Sequence, residues 1–375
     1  MANILPTHKA VVMPGPRQPL AVLDVPTVPP SADEVLVRVD WVGSTPLDLH
    51  QADGGLGTVP NQIPGDTVAG TVVQVGSAVA RLSVGDRVIS FAHEEPHHKA
   101  QQEYVTLPTY RVSKLPDNIS LQEGATVSSS LVTVFHSITH SLGLPLPWPV
   151  PDGWTPKFAD SPILIWGAAS SVGIFAVQVL KHWGYKRILA VASSKHHAWL
   201  RELGATATFD YRASDVVERI LATEEKKPTG PRIPFIYDCI GSLWNSIEPI
   251  RQVAEVGTRV AILLPVIVRD ASETDAPIYE LDVSVCHPDK WAGGNGVSLH
   301  GVRTHFYAQN EFFKEHLQPE IVPALLEQGI VRPLKQRVVH GDTLLERAQT
   351  ALDLLRKREP SGERLVWRVS DGSNV

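Results

Sequence analysis

The chain has 375 residues, enough for about two ordinary domains, each with a substantial core. An apolar fraction of 43% and a charged fraction of 20% are those of a soluble globular protein, and no run reaches the roughly 18 uncharged apolar residues that a membrane span needs. The formal charge of −6, with no long Lys/Arg block and only Cys239 and Cys286 as cysteines, argues against nucleic acid or anionic membrane as a partner and excludes a four-thiolate zinc site or a disulfide framework.

In chain order, MANILPTHKA lacks the basic and apolar regions of a secretion signal, so a cytoplasmic enzyme is expected. Short β-branched runs follow at Lys9 to Met13, Glu34 to Val42, Ala69 to Val75 and Asp86 to Phe91, divided by Gly, Pro and Asp turns, and they predict a twisted, barrel-like β domain. Gly76 and Gly85 are expected to take positive φ in turns between such strands. From Glu123 to Leu142 the pattern is helical. It meets LPLPWPVPDGWTPKFADSP, which can hold neither a long helix nor a central strand and is expected to be an exposed insertion between domains.

Strands and helices then alternate: strand Ile163 to Trp166, helix Val172 to Trp183, strand Arg187 to Ala192, helix His196 to Leu203, and strands Ala207 to Phe209 and Phe235 to Cys239. That alternation specifies an α/β fold with a doubly wound parallel sheet and right-handed crossovers. The tail adds helices Ile321 to Gln328 and Thr343 to Arg356 and a strand from Arg364 to Val369.

After the apolar strand ILIW come Gly167, Ala168, Ala169, Ser170, Ser171, Val172 and Gly173, then an amphipathic helix. Small residues there let the backbone approach a diphosphate, whose charge the helix N-terminus stabilises, and Gly173 lets the helix pack close to the strand. About twenty residues further on, an NAD site would carry an acid against the ribose 2′-hydroxyl. Ser193, Ser194 and Lys195 stand there instead. Hydroxyls and a positive charge suit a 2′-phosphate, so NADP(H) is the expected cofactor of a Rossmann-type domain. Tyr211 would flank that phosphate or the adenine, or pack half-buried. Ile240 and Gly241, at the sheet's C-terminal edge, would offer backbone contact to the cofactor.

These residues, with Pro64 to Gly70, the run VVQVGSAVARLSVGDRV, Gln102 to Val105 and LQEGATVSSSLVTVFHSI, resemble the medium-chain dehydrogenase/reductase superfamily over nearly the whole chain. The resemblance implies a GroES-like, β-rich catalytic domain at 1–135 and 311–375 and a Rossmann cofactor-binding domain at 136–310. In the superfamily's zinc alcohol dehydrogenases, ligands occupy positions that here hold Thr45, Asp66 with Thr67, and Ser129. One carboxylate and hydroxyls do not make a catalytic zinc site. The details SLGLPLP, FDYR, YDCIGS, GIVRPLKQRVV and SGERLV are most similar to fungal enoyl reductases that work beside polyketide synthases, although the Asn-Pro-x-Asp-Trp-Lys typical of those enzymes is Thr45 to His50 here.

The resemblance therefore implies hydride transfer to the C=C bond of an enone or enoyl thioester. A quinone reductase using the same site and a non-catalytic NADPH-binding protein are the alternatives. Without zinc, a hydrogen bond must stabilise the carbonyl oxygen. His50, at the position of the family's lysine, is the first candidate donor, against a reading as an exposed loop histidine. Asp48 would bind substrate, orient a loop or cap a turn; Thr133 would touch the nicotinamide amide or bond within its own helix. The groups His93/His97/His98 and His136/His140 lack the helical glutamate or added cysteines of common zinc sites, so no metal is expected. An edge strand at Val297 to Val302 would pair two copies into a homodimer.

Overall fold

The computed structural model describes residues 4–226, 228–272 and 274–370. They divide into two compact units, one of residues 4–132, 274–276 and 307–370, the other of 133–226, 228–272 and 277–306. The first division falls inside the helix Ser128–His136. Among the described residues, no helix is long and apolar enough to cross a membrane.

In the first unit a seven-stranded sheet of described residues runs Lys335–Val338, Glu363–Arg368, Glu34–Gly43, Thr67–Val75, Arg87–Phe91 and Val112–Lys114, and Tyr104–Pro108 also pairs with Glu34–Gly43. The ten-residue Glu34–Gly43 strand thus serves three neighbours, and irregularities at Leu36/Val37 and Val39/Trp41 bend it. Alternate residues Val35, Val37 and Val39 point into a core shared with Val68, Val72, Val88, Leu107 and Trp367. A two-stranded antiparallel pair, Thr7–Val12 with Ala21–Pro26, lies beside this sheet through the Ala10–Gln102 bridge. Gly85 takes the expected positive φ, at +94°. Gly76 does not; it is required by close approach instead, because a Cβ there would lie 1.9 Å from the Ser31 carbonyl oxygen.

The helix expected from Glu123 to Leu142 is interrupted. It forms as Leu121–Gly124, then Ser128–His136, then a π-helical turn at Ser137–Ser141. Hydroxyls compete for the carbonyls of this segment: Thr126 Oγ1 donates to Glu123 O at 2.7 Å, Ser137 Oγ to Thr133 O at 2.6 Å and Thr139 Oγ1 to Phe135 O at 2.7 Å.

The second unit is a six-stranded parallel sheet, among the described residues, in the order Ala207–Phe209, Ile188–Val191, Ile163–Trp166, Phe235–Asp238, Arg259–Leu263, Ser298–Val302. The middle strands are buried along their whole length, as a sheet covered on both faces requires. Chain order reverses between Ile163–Trp166 and Phe235–Asp238, which makes the C-terminal ends of those strands the switch point where such sheets bind ligands.

The Pro-rich stretch lies inside the second unit, not between units, and it is exposed only in part: Pro145, Pro149, Asp152 and Lys157 face outward, whereas Leu144 and Leu146 are buried, Trp183 Nε1 donates to Pro147 O at 2.9 Å and Tyr185 Oη to Pro145 O at 3.0 Å. Prolines keep the segment from forming a helix or strand, but its leucines still bury apolar surface. Trp183→Phe removes one buried bond and part of a fully buried indole, so a loss of at least about 1 kcal/mol is expected in denaturant titration. An unchanged midpoint would show that this anchor contributes nothing.

Candidate functional site

The Ile163–Trp166 strand ends at Gly167, with φ at +78°. A Cβ there would meet Ile240 Cδ1 at 2.5 Å, and one at Gly173 would meet the Gly167 carbonyl oxygen at 2.5 Å. Both positions therefore need glycine, and the turn closes tightly over the strand end. Ser170 caps the helix Ser171–His182, its Oγ accepting from the Gly173 amide at 3.1 Å. The first amides of a twelve-residue helix lack intrahelical acceptors, so Ser171 and Val172, just after the small residue Ala169, offer donors suited to a diphosphate.

Facing this turn is the segment after the Phe235–Asp238 strand. Asp238 is fully buried. Its carboxylate accepts from the amides of Ile240 at 2.9 Å and Gly241 at 3.2 Å and from Ser246 Oγ at 2.7 Å. The Gly241 carbonyl is also engaged, by the Ile267 amide at 2.7 Å. The Ile240 amide and the amide and carbonyl of Gly241 are thus bonded inside the protein. What Ile240 presents beside Gly167 is its side chain, 40% exposed. Burial raises the Asp238 pKa to about 6 against the opposing hydrogen bonds.

At the end of the next strand Ser193 is buried, while Ser194 and Lys195 are exposed. Asp210 ties this segment to the one carrying Tyr211: its carboxylate accepts from the Arg212 amide at 3.0 Å and the Ser194 amide at 3.2 Å, and these bonds hold its pKa below the usual range. Tyr211 is exposed, with the Arg212 guanidinium 4.8 Å from its ring centroid. Arg212 escaped the sequence reading although it directly follows Tyr211. It is a second cation in a place where only Lys195 was expected.

Asp48 and His50 lie on the helix Pro46–Gly54. Asp48 is a cap: its Oδ2 accepts from the Thr45 amide at 2.7 Å, and burial raises its pKa to about 6. His50 is half-buried. Thr133 belongs to the second unit, where its hydroxyl accepts from Thr304 Oγ1 at 3.1 Å.

The residues at the zinc-ligand positions form a buried charged cluster with two cations that sequence reading missed. Thr67 Oγ1 and Ser129 Oγ are 3.0 Å apart. Asp66 is ion-paired to Lys99, both side chains almost wholly buried. The buried Arg364 guanidinium donates to Ser130 Oγ at 2.7 Å and Thr126 O at 3.1 Å and lies 3.5 Å from Ser129 Oγ. Asp48 feels Asp66, Lys99 and Arg364, so these charges share one site. Nothing in a linear sequence marks a lysine or an arginine as buried.

Removing the Asp238 carboxylate strands three donors. Asp238→Ala should cost about 2–3 kcal/mol of stability. Because its folded pKa is raised from 3.8 to about 6, its contribution is fullest below pH 3.8 and declines as pH rises to about 6. Asp238→Asn should flatten that decline in denaturation curves taken across the window, and an undiminished slope would assign the titration to another group.

Comparison with known proteins agrees with this arrangement. The alcohol dehydrogenase GroES-like domain family matches residues 31–117, and the zinc-binding dehydrogenase family matches residues 171–262. The trans-enoyl reductase tazE of Aspergillus terreus is 39% identical over 229 residues, 58% of this chain and 73% of that protein. The trans-enoyl reductase caaB of Aspergillus niger is 30% identical over 381 residues, 98% of each chain. The solved CurK enoyl reductase shares the fold, with a TM-score of 0.71 at 19% identity over 96% of this chain and 99% of that one. With a full-length relative, two matched domains and a switch-point turn built on glycine, the chain belongs to the medium-chain dehydrogenase/reductase superfamily, where it is similar to the fungal trans-enoyl reductases.

Proposed function

We propose that the chain is a cytoplasmic, NADPH-dependent reductase of the activated C=C bond in α,β-unsaturated carbonyl compounds, working without catalytic zinc. The observation that carries the zinc-free reading is the buried ion-paired cluster. A divalent ion at the family's ligand positions would have to displace Lys99 from Asp66 and sit beside the Arg364 guanidinium, with hydroxyls in place of thiolate and imidazole. Similarity to trans-enoyl reductases, in one case along the full chain, supports the reaction class.

When bound, NADPH would supply the hydride for the β-carbon; the negative charge that develops on the carbonyl oxygen is discharged when water or a side chain protonates the α-carbon. The turn from Gly167 to Gly173 holds the diphosphate against the helix N-terminus. Ser193, Ser194, Lys195 and Arg212 hold the 2′-phosphate, and Tyr211 flanks it or the adenine. Ile240 adds an apolar surface beside the turn, and the Thr133 hydroxyl orients the nicotinamide amide. His50 donates to the carbonyl oxygen. Asp48 caps the helix that carries His50 and acts as a positioning residue. The catalytic part comprises 1–135 and 311–375, the cofactor part 136–310. The Ser298–Val302 strand, at the sheet edge, offers its backbone to a second copy, and the likeness to fungal trans-enoyl reductases points to a polyketide synthase as the larger partner.

Loss of nicotinamide absorbance with enones, enoyl thioesters and quinones, run in parallel with NADPH and NADH, tests this reading. Enone or enoyl turnover with NADPH preferred is expected; quinone-only turnover would replace the substrate class. Lys195→Glu should lower kcat/KM for NADPH about tenfold and leave NADH unaffected. A wild-type preference for NADH would instead assign the ribose to the Asp210 carboxylate. His50→Phe should lower kcat about a hundredfold with cofactor binding intact, and an unaltered kcat would remove His50 from the chemistry.

A further inference from the structure

The first unit brings Glu34 to the adjacent histidines His97 and His98, which lie far from it in sequence. Glu34 opens the Glu34–Gly43 strand, and His97 and His98 form the turn Pro96–His98. One ligand atom from each lies within 4.8 Å of those of the other two. Two imidazoles and a carboxylate are a known donor set for zinc, with bonds of about 2.0–2.2 Å and a water in the fourth position.

A second observation concerns the state of His98. Its Nδ1 is 2.9 Å from the His93 carbonyl oxygen, which can only accept; in the tautomer that satisfies this contact Nδ1 carries the hydrogen and Nε2 keeps its lone pair. Two donors also approach Nδ1, the Glu95 amide at 3.3 Å and Arg111 Nη1 at 3.5 Å, but both contacts are longer. A histidine anchored through one nitrogen to a backbone carbonyl is oriented to bind metal through the other. The Glu34 carboxylate is likewise braced, its Oε2 accepting from the Ser31 amide at 2.9 Å. The adjacent Arg111 charge is balanced by an ion pair with Glu94 at 2.5 Å. His98 is buried, whereas Glu34 and His97 are half-buried, which leaves a route for an ion and a water.

We infer that Glu34, His97 and His98 bind one zinc ion that pins the turn ending at Lys99 to the start of the Glu34–Gly43 strand. The site is separate from the family's ligand positions and does not depend on the proposed reaction. Its role is to hold the loop that delivers Lys99 to Asp66. Binding to the folded chain alone stabilises it by mass action.

The test uses the full chain, stripped with chelator and dialysed. Titration with zinc chloride, followed by calorimetry and elemental analysis of the washed protein, should show one equivalent bound, with a rise in thermal midpoint reversed by chelator. Glu34→Gln and His97→Ala each change a half-buried side chain and should weaken binding by at least about tenfold, while His136→Ala, at the stacked His136/His140 pair, should leave it unchanged. Cobalt substitution should add the visible absorption of a four-coordinate site. No binding by the wild type, or binding retained in both Glu34→Gln and His97→Ala, would overturn the assignment.

Discussion

In the second unit a single buried carboxylate supports the geometry on which cofactor binding would depend. Asp238 gathers the amides of Ile240 and Gly241 and the hydroxyl of Ser246 at the end of a central strand. That fixes the course of the chain beside Gly167, where the space is too narrow for any side chain. A charge this deep is tolerated because it is met by several donors, and its raised pKa records the remaining desolvation penalty. The same bonds remove the Ile240 and Gly241 amides from use by a ligand.

The first unit uses buried charge differently. Where zinc enzymes of the superfamily place ligands, Thr67, Ser129 and Asp66 are tied into a set with Lys99, Arg364 and Asp48. Such a set is costly to bury unless nearly every charge is paired. Once it is paired, its members depend on one another: removing one leaves the others uncompensated. Two cations are already part of the set, Lys99 paired with Asp66 and Arg364 reaching Ser129 and Ser130.

Much of the second unit was legible in the sequence. Short, wholly apolar strands separated by amphipathic helices permit few topologies, and the small-residue turn at Gly167 to Gly173 announces its place at a strand end. The helix from Glu123 was misread as continuous because apolar periodicity does not register serine and threonine hydroxyls taking helix carbonyls. The burial of Leu144 and Leu146 within the otherwise largely exposed Pro-rich stretch was not legible, because composition rules out regular structure there but does not decide burial. Asp48 was legible as a cap, since a residue three positions after Thr45 can reach back to its amide.

By itself the sequence determined the alternation that makes a parallel sheet, the glycines its first turn requires, and the absence of an acid from the Ser193 to Lys195 segment. All of these are local properties, set by side-chain size, periodicity and charge within a few residues. Tertiary structure alone decided which distant groups meet: Lys99 with Asp66, Arg364 with Ser129 and Ser130, Asp210 with Ser194, and Glu34 with His97 and His98. Those meetings depend on strand register and on the path of loops between strands, and long-range pairing of this kind leaves no periodic trace along the chain.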